Sequence, residues 1–244
     1  MNSRYDDPDF FDTYAQMDRS RLGLEGAGEW RQFRRLLPPL AGLTMLDLGC
    51  GYGWHARYAI EQGASRVDGI DLSEAMLARA REMGADPRLR YIRCALEDFA
   101  YPPENYDLVL SNLALHYVAD LDAIFRLVRQ TLRPGGSFCL NMEHPTFTAG
   151  VNQAWLEDAD GRRLCWPVDR YFEPGPRQTE FLGRQVVKQH HTLTQILMGL
   201  INAGFRLEAV EEAQPPREWL DMPGMRDELR RPMMLLIRAR KETP

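Results

Sequence analysis

From residue 44 onward, short apolar runs alternate with longer stretches in which apolar residues recur every three or four positions. This alternation is typical of a parallel sheet whose strands are joined by crossover helices. The apolar runs predict strands at residues 44–48, 66–70, 89–93, 106–110, 137–141, 205–210 and 233–239. The pattern therefore predicts an α/β fold built on one sheet, although it does not give the order of the strands.

Several helix ends are marked by local signals. Ser73 is placed to cap a helix that runs to about Glu82, and Thr192 with Gln195 fits a capping box. The helical stretch "DLDAIFRLVRQTL" is followed by "RPGG", which stops it, and Gly204 ends the last helix. These signals predict three helices that connect or follow the strands.

The chain divides into four stretches of one domain, as its 244 residues allow. Residues 1–40 predict a largely helical arm, which either packs on the sheet or closes over a ligand as a lid. Residues 41–143 carry the regular alternation, and residues 192–244 supply the last helix and a pair of strands. Residues 144–191, called the insertion below, are rich in aromatic residues without a sustained period, and we interpret them as a cover on the substrate side.

Composition narrows the class of protein. The chain is 44% hydrophobic and 27% charged, with a net charge of −5 and a pI near 5.6, as in an ordinary globular protein. It lacks the basic face typical of nucleic-acid binders, and no apolar run suggests a signal peptide or a membrane span. We therefore expect a cytoplasmic protein that contacts neither nucleic acid nor membrane. The four cysteines are widely spaced, which favours reduced structural thiols and predicts no metal site.

The stretch "LDLGCGYGW" places three glycines directly after the first predicted strand. Glycines at such a turn let backbone amides approach a ligand closely. The dinucleotide fingerprint Gly-x-Gly-x-x-Gly does not fit, because Trp54 stands where its last glycine belongs, and no phosphate-loop Lys follows. Asp71 ends the second strand, where a carboxylate can accept hydrogen bonds from both hydroxyls of a ribose. The turn therefore favours an adenosine ligand.

Five stretches, in order, make the resemblance specific: "LDLGCGYG", "GIDLS", "LEDF", "YDLVLSNLALHYV" and "LRPGG". They resemble the successive signatures of class I S-adenosylmethionine-dependent methyltransferases, and most closely those of the bacterial small-molecule branch. The resemblance is strong over residues 44–143 and weaker beyond. It implies a Rossmann-like three-layer sandwich with a seven-stranded, mostly parallel sheet whose last strand is antiparallel. It also implies S-adenosyl-L-methionine as cofactor and S-adenosyl-L-homocysteine as product.

Carried over to this sequence, the resemblance implies a set of cofactor contacts along the first two strands. Gly49 and Gly51 would pass close to the amino-acid part of the cofactor. Asp71 would hold the ribose, and Leu72 and Met76 would flank the adenine.

Further contacts are implied along the third and fourth strands. Leu96 would meet the adenine edge through its backbone amide and Glu97 through its carboxylate, while Ser111, Asn112 and Leu113 would line the methionyl part. One departure concerns the adenine. Many relatives have Gly-Asp before this acidic pair, whereas this chain has Cys94 and Ala95. The usual adenine-binding aspartate is therefore missing, and either Glu97 or Asp98 would have to replace it.

Two residues of the arm are further candidates to contact the cofactor. The ring of Tyr14 can face the positive sulfonium, since aromatic faces attract cations. Arg19 can pair with a carboxylate of either ligand, or it can be a solvated arginine on a helix surface. Both interpretations of Arg19 stay open at this point.

Two histidines follow predicted strands at the mouth of the proposed site, His116 after the fourth and His144 after the fifth. A neutral imidazole can remove the proton that a methylated nitrogen or oxygen loses. Both are candidate catalytic residues, with hydrogen-bonded structural roles as the alternative. Because S-adenosylmethionine is already an activated donor, alignment of the acceptor and exclusion of water are the main tasks of the protein.

The sequence thus predicts a methyltransferase that acts on a nitrogen or oxygen of a small-molecule acceptor. Two alternatives remain. One is an RNA- or DNA-modifying methyltransferase on the same fold, and the other is a cofactor-binding module without catalysis.

Overall fold

The computed structural model describes residues 3–242, and a seven-stranded sheet forms its centre. In chain order the strands of this sheet are β1 (Thr44–Leu48), β2 (Arg66–Asp71), β3 (Leu89–Arg93), β4 (Tyr106–Asn112), β5 (Leu132–Glu143), β10 (Phe205–Glu212) and β11 (Met234–Lys241). Their spatial order is β10-β11-β5-β4-β1-β2-β3. β11 is antiparallel to both of its neighbours, while the pairs among β1 to β5 are parallel. The Rossmann-like fold predicted from the sequence, with its antiparallel last strand, is confirmed.

Eight helices occur among the described residues: α1 (Pro8–Ala15), α2 (Asp18–Arg21), α3 (Trp30–Leu36), α4 (Trp54–Glu61), α5 (Glu74–Glu82), α6 (Leu121–Thr131), α7 (Pro145–Thr148) and α8 (Leu193–Asn202). One apolar core lies between the sheet and the pair α6 and α8, and a second lies between the sheet and the pair α3 and α4. Burial of these two faces is the main force that holds the three layers together.

The predicted helix signals are present in the structure. The Ser73 side chain accepts a hydrogen bond from the Met76 N–H and caps α5, and Thr192 and Gln195 form the reciprocal capping box of α8. The "RPGG" stretch differs from the prediction, because β5 begins at Leu132 immediately after α6 and includes these residues. Its first pairs with β4 are irregular, as expected for a strand that contains proline.

The insertion contains two hairpins that the hydrophobic pattern did not indicate. A short one pairs β6 (Leu156–Glu157) with β7 (Arg163–Cys165), and a longer one pairs β8 (Gly175–Phe181) with β9 (Arg184–His190). Its aromatic residues pack around a cation from outside the insertion. The guanidinium of Arg231 lies 4.4 Å from the ring centre of Trp166 and 4.9 Å from that of Phe147. A buried arginine therefore anchors this segment beside the main sheet.

The arm crosses the edge of the sheet at which the parallel strands end. Asp6 accepts hydrogen bonds from the Ser73 hydroxyl at 2.6 Å and the Ala75 N–H at 3.1 Å, at the start of α5. Tyr52, in the glycine turn, packs edge-on against Phe11 and Tyr14 of α1. The arm thus lies over the turn that the sequence singled out.

Candidate functional site

The glycine turn after β1 leaves open space at one position. Gly49, Gly51 and Gly53 all have positive φ, at 71°, 52° and 74°. A Cβ on Gly49 would lie 2.4 Å from the Ala114 Cβ, and one on Gly53 would lie 2.1 Å from the Tyr91 hydroxyl. A Cβ on Gly51 would meet no atom within 4 Å. Gly49 and Gly53 are therefore required by packing within the protein, whereas the backbone of Gly51 borders a free volume.

Two carboxylates stand beside this turn. Asp71 accepts hydrogen bonds from the N–H groups of Gly51 and Ser73, each at 2.9 Å. Burial raises its pKa. Asp47 is 1% exposed, and neither of its oxygens has a hydrogen-bond partner within residues 3–242. Burial and the nearby charge of Asp71 raise the pKa of Asp47 to about 8. Among the described residues, only the Ala56 N–H lies close enough to lower the pKa of Asp47, without forming a hydrogen bond of good geometry. The site therefore contains a poorly satisfied buried acid that is costly unless a ligand supplies a donor.

The end of β4 is held by hydrogen bonds to its two neighbours. The Ser111 hydroxyl donates to the Leu48 carbonyl at 3.2 Å, and Asn112 Oδ1 accepts from Asn141 Nδ2 at 2.8 Å. Leu113 has a φ of +56°, and its N–H donates to the Asn141 carbonyl at 2.7 Å. A non-glycine residue in this region is strained, so the three strand ends hold the chain in a fixed turn next to Gly49.

The residues predicted to border an adenine lie at the ends of β2 and β3. The Cys94 N–H donates to the Asp71 carbonyl at 3.0 Å, which joins the two strand ends. Met76 is buried, Leu96 packs partly buried against the core, and Glu97 is exposed. Leu72 accepts a hydrogen bond through its carbonyl from Arg93.

The arm brings Tyr14 and Arg19 to the same edge. Tyr14 lies 5.9 Å, centre to centre, from the ring of Tyr52, and burial raises its pKa. Arg19 forms an ion pair of 3.3 Å with Glu29, whose side chain is 4% exposed. Arg19 is therefore a partly buried, paired arginine rather than a solvated one.

The two candidate histidines have different surroundings. His116 is 3% exposed, and its Nδ1 has no hydrogen-bond partner among the described residues. Burial lowers its pKa to about 4, so the imidazole is neutral at pH 7. His144 accepts a hydrogen bond at Nδ1 from the Thr146 N–H at 3.0 Å, and its Nε2 lies 3.1 Å from a Glu212 carboxylate oxygen. His144 therefore caps α7, whereas the buried Nδ1 of His116 is available to donate or accept a hydrogen bond.

The arm and the β8–β9 hairpin contact each other over this edge of the sheet, and together they form a cover that is called the roof below. Phe10 of the arm lies 6.0 Å, centre to centre, from Phe181 of the β8–β9 hairpin, and Arg184 of the hairpin pairs with Asp9 at 2.9 Å. Tyr5 and Tyr117 approach each other with their hydroxyls 3.5 Å apart. The glycine turn, the strand ends and His116 thus lie beneath the N-terminal arm and the β8–β9 hairpin of the insertion.

Comparisons with known proteins identify this arrangement. Residues 46–140 match the family model "Methyltransferase domain". The crystal structure of an S-adenosylmethionine-dependent methyltransferase from Mesorhizobium loti superposes with a TM-score of 0.83 at 48% sequence identity, covering 89% of this chain and 100% of that one. The chain belongs to the S-adenosylmethionine-dependent methyltransferases.

Two further relatives extend the comparison of this methyltransferase. An uncharacterized protein of Haemophilus influenzae is 30% identical over 255 residues, 99% of each chain. A tRNA U34 carboxymethyltransferase of Methylococcus capsulatus is 34% identical over 149 residues, which cover 59% of this chain and 42% of that relative. The similarity to the tRNA enzyme is thus confined to part of each protein, and more than half of that relative lies outside the matched region.

The methyltransferase uses S-adenosylmethionine as cofactor. No group of three or more His, Cys, Asp or Glu side chains within residues 3–242 is arranged to hold a metal ion, and no helix there is long and apolar enough to cross a membrane. A cavity of about 660 Å³ lies elsewhere, between the insertion and the segment before β11, and none of the predicted site residues lines it.

Sequence reasoning missed three polar residues of this edge. Glu143 ends β5, and Lys188 of β9 donates to it at 2.5 Å and to Gln153 at 3.1 Å. The sequence contained one signal for Lys188, which is the rarity of lysine. The chain has 28 arginines and only two lysines, and both lysines are buried.

Proposed function

We propose that this methyltransferase transfers the methyl group to a nitrogen or oxygen of a small-molecule acceptor held beneath the roof. The observation that carries the proposal is the closure of the arm on the β8–β9 hairpin, through Phe10 and Phe181 and through Asp9 and Arg184. A small acceptor fits under such a cover, which also excludes water from the reacting atoms. A polynucleotide strand would require the roof to part.

The free positions of the site fit S-adenosylmethionine. The open space at Gly51 admits the amino-acid part of the cofactor, and the unpartnered carboxylate of Asp47 is suited to its ammonium group. The oxygens of Asp71 each retain a lone pair for a ribose hydroxyl. Arg19 is suited to the carboxylate, and the ring of Tyr14 to the sulfonium.

We place the adenine between the ends of β2 and β3. Leu72 and Met76 would flank its faces, and Leu96 and Glu97 its polar edge. Glu97 is exposed, so a hydrogen bond from the adenine amino group would form at the rim of the site. The methionyl chain would then run towards the fixed turn at Ser111, Asn112 and Leu113.

The cofactor supplies an activated methyl group, and the protein aligns the acceptor behind it. His116 is the nearest candidate to contact the acceptor, because its neutral ring has a free nitrogen under the roof. His144 is less suited, since both of its ring nitrogens have neighbours.

A second candidate is a tRNA-modifying methyltransferase, because one relative of known function acts on tRNA. Two observations favour a small acceptor instead. The net charge is −5, whereas proteins that bind nucleic acid neutralise phosphates with basic side chains. The similarity also leaves most of the tRNA enzyme without a counterpart.

The experiment has two steps. Melting temperature is first measured with S-adenosylmethionine, S-adenosylhomocysteine, NAD and ATP, and we expect a rise with the first two alone. Formation of S-adenosylhomocysteine is then followed with a panel of amine, hydroxyl and thiol metabolites and, separately, with bulk tRNA. Turnover of a metabolite but not of tRNA supports the proposal. Turnover of tRNA alone would replace it with the second candidate.

A further inference from the structure

A buried ion pair lies under the roof, where no step described above uses it. Lys188 is 3% exposed, and its ammonium donates to Glu143 Oε1 at 2.5 Å and to Gln153 Oε1 at 3.1 Å. The ring centres of Phe147 and Phe181 lie 5.7 and 5.4 Å from it. Buried lysines are rare in proteins, and this one has two acceptors and two aromatic rings around it. The ammonium is therefore surrounded by groups of the protein, with two hydrogen-bond acceptors and two aromatic rings.

The carboxylate of Glu143, by contrast, retains unused hydrogen-bonding capacity. A carboxylate offers about four lone-pair positions. Oε1 accepts from Lys188, whereas the only hydrogen bond of Oε2 within residues 3–242 is from Gln153 Nε2 at 3.4 Å, near the limit for such a bond. Oε2 thus keeps capacity for a donor, while Lys188 fixes its orientation from the other side.

The position of Glu143 connects it to the reacting part of the site. It ends β5, two residues after Asn141, whose side chain bonds to Asn112 at the end of β4. His116, with its unpartnered Nδ1, lies in the 3₁₀ turn after β4 that packs on both β5 and β9. Glu143 Oε2, which keeps capacity for a donor, and His116 Nδ1, which has no partner among the described residues, therefore belong to elements that meet at the same part of the roof.

We propose that Glu143 is the general base of the reaction, and hence that the methylated group of the acceptor carries an N–H or O–H. This inference rests on the proposed function. The lone pair of the acceptor atom forms the new bond to the methyl carbon, and the bond from that carbon to sulfur breaks with its electron pair left on sulfur. The proton of the acceptor passes to Glu143 Oε2, and the resulting carboxylic acid releases it to water as the product leaves.

Lys188 has a positioning role in this scheme. An ammonium is a compact charge with three donors, so it holds one carboxylate oxygen without covering the second, which the two-pronged guanidinium of arginine tends to engage as well. This explains why a chain with 28 arginines has a lysine here.

The test uses the complex with S-adenosylhomocysteine and two matched probes, aniline and N,N-dimethylaniline. Both are neutral aromatic amines that suit the phenylalanine rings, but only aniline has an N–H. Affinities are measured by ligand-observed NMR titration for the wild type, Glu143→Gln and the control Glu180→Gln, which changes an exposed acid on the β8–β9 hairpin that carries Lys188. Calorimetry with S-adenosylhomocysteine shows that each variant is folded and binds the cofactor product.

We expect the wild type and Glu180→Gln to prefer aniline by at least about tenfold, the effect of a hydrogen bond to a charged acceptor. In Glu143→Gln, the ammonium of Lys188 orients the amide oxygen towards itself, so an NH₂ donor faces the acceptor and the preference disappears. Equal binding of the two probes to the wild type, absence of aniline binding, or a preference that survives in Glu143→Gln would each overturn the proposal. Failure of the wild type to bind S-adenosylhomocysteine would instead refute the proposed function.

Discussion

Replacement of Asp47 by Asn tests the most unusual electrostatic feature of the structure. Asp47 is 1% exposed, and neither of its oxygens has a partner among the described residues. Burial and the charge of Asp71 raise its pKa from 3.8 to about 8. Asn removes the ionisation while it keeps nearly the same shape.

The sign and size of the effect follow from linkage. Between pH 4 and pH 8 the folded chain keeps the proton on Asp47 and the unfolded chain loses it, so stability decreases as pH rises. Each pH unit in this window costs about 1.4 kcal/mol, which amounts to about 4 kcal/mol between pH 5 and pH 8. The Asp47→Asn variant is free of this cost, so its stability relative to the wild type should rise by about that amount.

Urea unfolding followed by circular dichroism at pH 5, 6.5 and 8, without cofactor, measures the difference. Titration of other groups cancels when the two proteins are compared at each pH. Asp107→Asn is the matched control, because hydrogen bonds from Thr44 and Arg133 lower the pKa of Asp107. Its effect should be constant from pH 5 to pH 8. Parallel stability curves for the wild type and Asp47→Asn would refute the reasoning.

Three further outcomes are expected. Gly51→Ala should fold with a loss of about 1 kcal/mol of stability, because residue 51 has a positive φ, but should bind S-adenosylhomocysteine at least about tenfold more weakly by calorimetry. Gly53→Ala should lose far more stability, because its Cβ would meet Tyr91. Equal affinity of Gly51→Ala and the wild type would contradict this prediction. His116 should titrate near pH 4 in an NMR series, and a midpoint near 6.5 would show that it is not buried. Phe10→Ala should weaken the packing of the arm by about 3 kcal/mol and speed its cleavage by trypsin, and an unchanged cleavage rate would show that the arm does not depend on this contact.

Much of the sheet could be predicted because its central strands, such as β1 and β4, are mostly buried apolar runs bounded by clear turn and cap signals. Ser73 and the Thr192–Gln195 box act within one turn of helix, so a local sequence is sufficient to identify them. The β8–β9 hairpin could not be found in this way. Its strands "GPRQTEF" and "RQVVKQH" are mostly polar because only a few of their side chains are buried. The sequence therefore shows no clean alternation of apolar and polar residues.

The site shows the same limit. Gly51 and Asp71 were predicted because the glycine turn after β1 and the end of the adjacent parallel strand β2 lie at the same edge of the sheet, and the two residues are in contact. The pair of Glu143 and Lys188 joins residues 45 positions apart, across the end of a strand and an insertion without a pattern. Such a contact depends on how the insertion folds back, which periodicity does not encode. Only the rarity of lysine in this chain pointed to it.

The charges at the carboxyl edge argue for a cationic ligand independently of the family. Asp47 is buried and Asp71 lies partly buried beside it, and desolvation raises the pKa of both. Glu29 and Glu143, by contrast, are held by Arg19 and Lys188. Among the residues that the structure describes, neither Asp47 nor Asp71 has a cationic side chain as a partner. Evolution towards stability alone would replace one of them, since an unpaired buried acid is destabilising. Their presence is understandable if the ligand brings its own positive charge, and S-adenosylmethionine has two, on the sulfonium and the ammonium. The two carboxylates that we propose to bind the cofactor are thus the same groups that cost stability in the cofactor-free protein.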